Sequence, residues 1–148
     1  MTRYAGVDLR RGRLITWSSS MTTDGIAVAN GTFEILPEEA PDGELGEAVG
    51  RMLDASREGI PTPDLRTTSP FAPVLAALGL RSYSAYARGT LTVNVERDDG
   101  LVTVVPTRNG GSRHGFEGLT DQRLVASDPG PEELGAAVRA GLARCTTV

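Results

Sequence analysis

Two arms, Thr90-Leu91-Thr92-Val93-Asn94-Val95-Glu96 and Leu101-Val102-Thr103-Val104-Val105-Pro106, joined by Asp98-Asp99-Gly100, constrain the fold more than any other part of the chain. Apolar and polar residues alternate along the first arm with a period of two, and β-branched side chains fill both. The Asp-Gly step between them tolerates the positive φ that a tight turn requires. A helix would scatter these Val and Leu side chains around its circumference, whereas a strand puts alternate residues on one face. This segment is a β-hairpin.

Further strands follow from the same reasoning. Arg13-Leu14-Ile15-Thr16-Trp17-Ser18 is rich in β-branched and aromatic residues, and Gly31-Thr32-Phe33-Glu34-Ile35-Leu36 alternates apolar with polar. Asn30-Gly31 reads as the turn before the second run, Pro37 closes it, and the polar stretch Ser18 to Asp24 is expected to be exposed. Arg123-Leu124-Val125-Ala126 predicts a last strand, after a flexible loop at Asn109-Gly110-Gly111-Ser112.

Two longer helices are expected. In the first, Leu45, Ala48, Val49, Met52 and Leu53 recur at helical spacing, with Asp42 as the N-cap candidate and Glu44 and Glu47 in the first turns. Glu47 and Arg51 form a favourable i,i+4 pair, and Gly59 and Pro61 mark the end. The second opens at Pro131-Glu132-Glu133-Leu134, with Ser127 or Asp128 as cap candidates. Between them lies a Pro-rich connection from Gly59 to Pro73, then a short helix from Val74 ended by Gly79.

The two longer helices align with each other. Residues 44–56 and 133–145 share Glu, Leu, Gly, Ala, Val and Leu at six of thirteen positions, and Ser56 falls opposite Cys145. Each is expected to follow a strand ended by Pro, Pro37 or Pro106. Gly inside a helix costs about 1 kcal/mol against Ala, so a Gly repeated at 46 and 135 points to close packing on a shared sheet. The expected fold is α/β in the broad α+β sense, one domain over residues 1–148. It holds a mainly antiparallel sheet of about five or six strands with two longer helices and one short helix packed on it.

Composition removes several classes of function. All fifteen basic residues are Arg, so Schiff-base chemistry and a phosphate-loop lysine are excluded. One Cys and one His can form neither an internal disulfide nor a thiolate or imidazole zinc site, and no cofactor is expected. A net charge of −4 argues against nucleic acid as a partner. The longest mostly apolar run, Pro70 to Leu80, falls far short of the roughly 20 residues of a membrane span. The N-terminus meets charge before any apolar run of signal-peptide length, so a cytoplasmic protein is expected.

Candidate chemistry is sparse. His114 sits in Gly110-Gly111-Ser112-Arg113-His114-Gly115-Phe116-Glu117, where a small hydrolase or ligand-binding module would place a base beside Arg113 and Glu117. A turn histidine is the plainer reading, because proximity in sequence supplies neither nucleophile nor orienting acid. Cys145 reads as core packing. Charge carries more information: residues 34 to 64 hold nine acidic residues against two Arg, while residues 81 to 148 are neutral. Such a run is either a solvated helix face or an electronegative patch that steers a basic partner.

Leu80-Arg81-Ser82-Tyr83-Ser84-Ala85-Tyr86-Ala87-Arg88, the strands at 90 to 106, Gly115-Phe116 and the closing Glu133-Leu134-Gly135-Ala136-Ala137-Val138 helix together resemble the bacterial contact-dependent growth inhibition immunity proteins. The helix at Glu44-Leu45-Gly46-Glu47-Ala48-Val49 resembles that family's first helix, and the likeness spans residues 32 to 145. It implies a protein that is not an enzyme and that binds and blocks the C-terminal toxin domain of a partner, often a nuclease. Electrostatics, not the resemblance, nominates Glu38, Glu39, Asp42, Glu44, Glu47, Asp54 and Glu58 as toxin-binding residues.

Overall fold

The computed structural model describes residues 1–148 and contains the hairpin that the alternation demands. Strands β4 (Leu91–Asp98) and β5 (Leu101–Asn109) pair antiparallel through a turn in which Asp99 and Gly100 both hold positive φ, 50° and 85°. Pro106 does not end β5. It sits at the last pairing with β4, opposite Val93, where the missing N–H leaves no gap in a continuing ladder. Beyond it, β5 exchanges partners and pairs with the short strands β6 (Phe116–Gly118) and β8 (Thr146–Thr147), while its first half pairs with β7 (Leu124–Ser127).

The sheet has eight strands in the order β3-β2-β1-β4-β5-β6, with β7 and β8 also on β5. All pairings are antiparallel except β5 with β8. Its centre is a strand without a sequence signal, β1 (Thr2–Arg10), between β2 (Arg13–Met21) and β4. Ala5, Gly6 and buried Asp8 interrupt the alternation that would have announced it. Gly6 is required there, because the Trp17 ring of β2 occupies the space of any Cβ.

β3 (Ala27–Pro37) contains Asn30-Gly31, which forms a bulge and not the expected turn. Trp17 faces Phe33 while Ser19 faces Ala29, so three residues of β3 oppose one of β2, and Gly31 takes a φ of 91°. The bulge aims Asn30 inward, where its Nδ2 donates to Ser18 Oγ and Ser20 Oγ, both at 2.9 Å. For that reason Ser18, Ser19, Ser20 and Thr22 are buried, contrary to the expectation of an exposed segment: Ser18 Oγ donates to the Met52 carbonyl at 2.7 Å, and Ser20 Oγ accepts from Arg57 N at 3.0 Å. Polarity here is hydrogen bonding, not solvation.

Helix α1 (Asp42–Ala55) buries Leu45, Ala48, Val49, Met52 and Leu53 against one face of the sheet, each large side chain contributing about 1.5–3 kcal/mol. Pro41, not Asp42, precedes its first turn, and the helix ends at Ser56, short of the expected Gly59. Arg51 passes over Glu47 and forks onto Glu34 of β3 at 2.7 and 2.8 Å. On the same sheet face lies α5 (Pro131–Arg144), preceded by Gly130 with neither Ser127 nor Asp128 as a side-chain cap. Elements α1, α5, β1, β2, β4 and β5 share one core of fourteen buried residues.

The internal repeat is real in the helices. Gly46 lies against the backbone of Pro131, the first residue of α5, and Gly135 against that of Asp42, the first residue of α1. These are equivalent contacts, exchanged by swapping the two copies. The equivalence extends to the helix ends, where Ser56 and Cys145 adopt nearly the same extended conformation and bond back to Leu53 and Leu142. The preceding strands do not share it, since β7 precedes α5.

Residues 57–90 cross to the other face of the sheet and form a strap over its β1–β3 half. The strap contains α2 (Ala72–Leu78), ended by Gly79 in the left-handed region, and an unforeseen one-turn helix α3 (Tyr83–Ala87) capped by the Ser82 hydroxyl on Ala85 N. Phe71, Val74, Leu75 and Tyr86 pack with Ile15 into a second small core, against Trp17, Phe33 and Ile35. Asn109, expected in a loop, is buried at the end of β5, donating to the Ala87 and Thr90 carbonyls at 2.8 and 3.0 Å. A single turn, α4 (Gly111–His114), follows it.

Candidate functional site

The seven nominated carboxylates lie along α1 and its flanking turns, about 21 Å of helix. Glu38, Glu39, Glu44, Glu47, Asp54 and Glu58 are exposed, and Asp42 is half-buried. Two of the seven already have partners: Asp42 accepts from Arg139 Nε at 2.7 Å, and Asp54 from Arg97 at 2.8 Å. Arg139 also donates to the carbonyls of Glu38 and Ala40, tying the turn before α1 to α5. The Arg51 fork holds the Glu34 carboxyl below the usual range. That leaves Glu38, Glu39, Glu44, Glu47 and Glu58 outside every ion pair. Unpaired carboxylates along a helix make the local potential negative and so attract a cationic partner.

The His114 loop does not assemble. His114, Arg113 and Glu117 are all exposed, and no hydrogen bond or ion pair joins them. A cavity of about 450 Å³ does open nearby, walled by Tyr83, Arg88, Asn109, Ser112 and Phe116, but His114 is not part of its wall. Cys145 closes α5 half-buried, its Sγ directed at the Thr92 carbonyl at 3.2 Å, and burial pushes its thiol pKa up. No group of three or more His, Cys, Asp and Glu is arranged to hold a metal ion.

The structure instead draws attention to residues without a sequence signal. Asp8 of β1 is buried beneath the strap and accepts a short hydrogen bond from the Tyr86 hydroxyl. Burial pushes its carboxyl up to about 6 against the opposing effect of that bond. Burial together with Asp8 pushes the Tyr86 hydroxyl far upward, and Tyr83 is pushed up to about 12. Arg10 lies 5.6 Å from the centre of the Tyr86 ring and donates to the Tyr86 carbonyl at 3.2 Å. With Phe71 edge-on to Trp17, Tyr83 and Tyr86, the cluster fastens the strap to the sheet. An Asp within the apolar run Ala5–Leu9 and the paired tyrosines at 83 and 86 were its only traces in the sequence.

Comparison with known proteins places the chain. The model of the CDI immunity protein family matches residues 14–145, and the chain belongs to that family. The match begins earlier than the likeness read from the sequence and takes in β2. Among solved structures, a protein of unknown function from Neisseria meningitidis superposes with a TM-score of 0.81 at 22% identity, covering 98% of this chain and 96% of that one. The CdiA-CT/CdiI toxin and immunity complex from Yersinia pseudotuberculosis gives a TM-score of 0.81 at 18% identity, covering 99% and 98%. At these identities the likeness is one of fold. No curated protein matches the chain.

Proposed function

We propose that this chain is an immunity protein that binds the C-terminal toxin domain of a contact-dependent growth inhibition system in the cytoplasm and neutralises it by masking, without catalysis. The family match over residues 14–145 carries this reading. The toxin is a nuclease: a surface that grips polyphosphate must be basic, and the five unpaired carboxylates along and beside α1 have the complementary sign. Among the nominated residues, Glu38, Glu39, Glu44 and Glu47 act mainly on the rate of encounter, since exposed charges steer association more than they hold a complex. Asp42 and Asp54 contribute less, being neutralised by Arg139 and Arg97.

The test is co-expression with the toxin domain encoded by the adjacent gene. Growth rescue and a stable complex of standard interface size, of order 800 Å² per partner, are expected. Neither rescue nor binding would end the proposal. Reversing Glu44 and Glu47 to Lys is expected to slow association and to flatten its dependence on salt.

A further inference from the structure

The helices and the strap leave half of one sheet face bare. Val93 and Val95 of β4, Val102 and Val104 of β5 and Leu124 of β7 enter the main core beneath α1 and α5. The period of two therefore turns Asn94, Glu96, Leu101, Thr103, Val105 and Val125 to the opposite face. An antiparallel sheet with one wet face normally presents polar residues there, yet Leu101 is 45% and Val125 55% exposed. Where the bare half meets the strap runs a groove of about 930 Å³, with Trp17, Val28 and Val105 on one side and Leu65, Phe71 and Tyr83 on the other. Leu65 and Tyr83 are themselves about half exposed.

The border of this groove is acidic. Tyr4 and Glu96 line the groove, and burial, followed by the charges of Glu96, Glu58 and Asp98, raises the Tyr4 hydroxyl. None of these three carboxylates belongs to an ion pair. The nearby Arg97 is engaged by Asp54 on the helix side. An apolar channel bordered by unpaired carboxylates has the anatomy of an interface: a centre that desolvates and a rim that selects sign.

We infer that this groove is the docking site for the toxin domain, receiving apolar side chains of the toxin between the strap and β5 and Arg or Lys over the Glu58–Glu96–Asp98 rim. The inference rests on the immunity reading and assigns it a surface other than the outer face of α1; Glu58 is the one nominated residue that belongs to both. Charge selects this occupant. A second copy of the chain would carry the same acidic rim and a net charge of −4 to the contact, whereas a polyphosphate-gripping domain is its opposite.

The experiment measures affinity for a catalytically inactivated form of the adjacent-gene toxin domain. Wild type is compared with Glu96→Lys/Val105→Lys, with Val125→Lys, and with Glu44→Lys/Glu47→Lys as the helix-face reference. Circular dichroism and thermal melting check each fold. The groove pair is expected to weaken binding at least a hundredfold and Val125→Lys at least tenfold, with the helix-face pair losing less than tenfold. Val125 lies on the bare face beside the groove, outside its wall, and is exposed enough that its replacement keeps the test alive if the pair fails to fold. Binding within threefold of wild type by the Glu96→Lys/Val105→Lys protein, or by Val125→Lys where that pair fails to fold, would overturn the inference while leaving the immunity reading intact. A wild-type chain that does not bind the toxin at all removes that reading, and this inference with it. A wild-type chain that is dimeric in solution and becomes monomeric with Val125→Lys makes the bare face beside the groove a self-contact, which also overturns it.

Discussion

Gly46 and Gly50 stand one turn apart on α1, and replacing each by Ala separates helix propensity from helix packing. Both replacements gain about 1 kcal/mol of helical preference. At Gly50 the new methyl meets nothing within 4 Å, so Gly50→Ala is expected to stabilise the protein by about that amount. At Gly46 the methyl would stand 2.8 Å from Pro131 Cα and closer still to the Pro131 carbonyl. Non-bonded heavy atoms rest at well over about 3 Å, and the Pro131 carbonyl oxygen would stand at 1.7 Å, so α5 must withdraw by roughly 1.5 Å, and backbone cannot rotate aside as a side chain can. The withdrawal strains the contact and loosens Leu45, Val49, Leu134 and Val138, which share the core below. Overpacking costs about 1–3 kcal/mol, and a backbone clash this close takes the top of that range, so after the gain of about 1 kcal/mol Gly46→Ala is left about 2 kcal/mol less stable than wild type. The two variants then differ by about 3 kcal/mol, roughly 10 °C in melting temperature. Urea denaturation and calorimetry on the pair decide the matter. Equal stabilisation by both would refute the argument that the repeated glycines exist to bring the helices together.

Three further outcomes are expected. Asp8 has a folded pKa of about 6 against 3.8 for the free side chain, so its contribution is fully present below about pH 4 and lost as the pH rises through 6. Relative to Asp8→Asn, the wild type should therefore lose about 3 kcal/mol between pH 4 and pH 7, and a pH-independent difference in denaturation midpoint would contradict this. Arg139→Ala removes the half-exposed pairing with Asp42 and the hydrogen bonds to the Glu38 and Ala40 carbonyls, costing about 2 kcal/mol in urea melts. Arg139→Lys should recover less than half of that, because a single ammonium cannot reach three acceptors spread like the guanidinium's. Asn30→Ala strips Ser18 and Ser20 of a shared donor inside the sheet and should destabilise by about 1–3 kcal/mol, with hydrogen exchange rising first at the β2–β3 bulge.

The parts of this fold that could be read in advance are those whose cause lies within a few residues. The β4–β5 hairpin, the apolar stripe of α1 and the Gly79 stop after α2 each follow from local pattern, and the Gly46–Gly135 repeat foretold a contact between distant segments. The hidden parts depend on partners far along the chain. Ser18–Ser20 look like loop because their polarity is satisfied by Asn30 and by backbone beyond Met52. β1 carries Gly6 to make room for Trp17 and Asp8 to receive Tyr86, both of which dilute its strand signal. The acidic run was visible as charge, but which carboxylates are neutralised depends on Arg97 and Arg139, supplied by the other half of the chain. The groove has no counterpart in local sequence, since its walls come from β2, β3, β5 and a crossing strap.

The place of β1 at the middle of the sheet also sets a schedule for the chain as it is made. β1, β2, β3 and α1 are complete once Ala55 has been synthesised, but the second edge of β1 waits for β4, which ends at Asp98. At about 5–20 residues per second, the intervening stretch takes roughly 2–9 s. Throughout that interval the N–H and C=O groups along Thr2–Leu9 lie open to any passing strand. A chain cut before Leu91 holds that edge open permanently, so a shortened copy of this protein would behave as a template for aggregation and not as a smaller inhibitor.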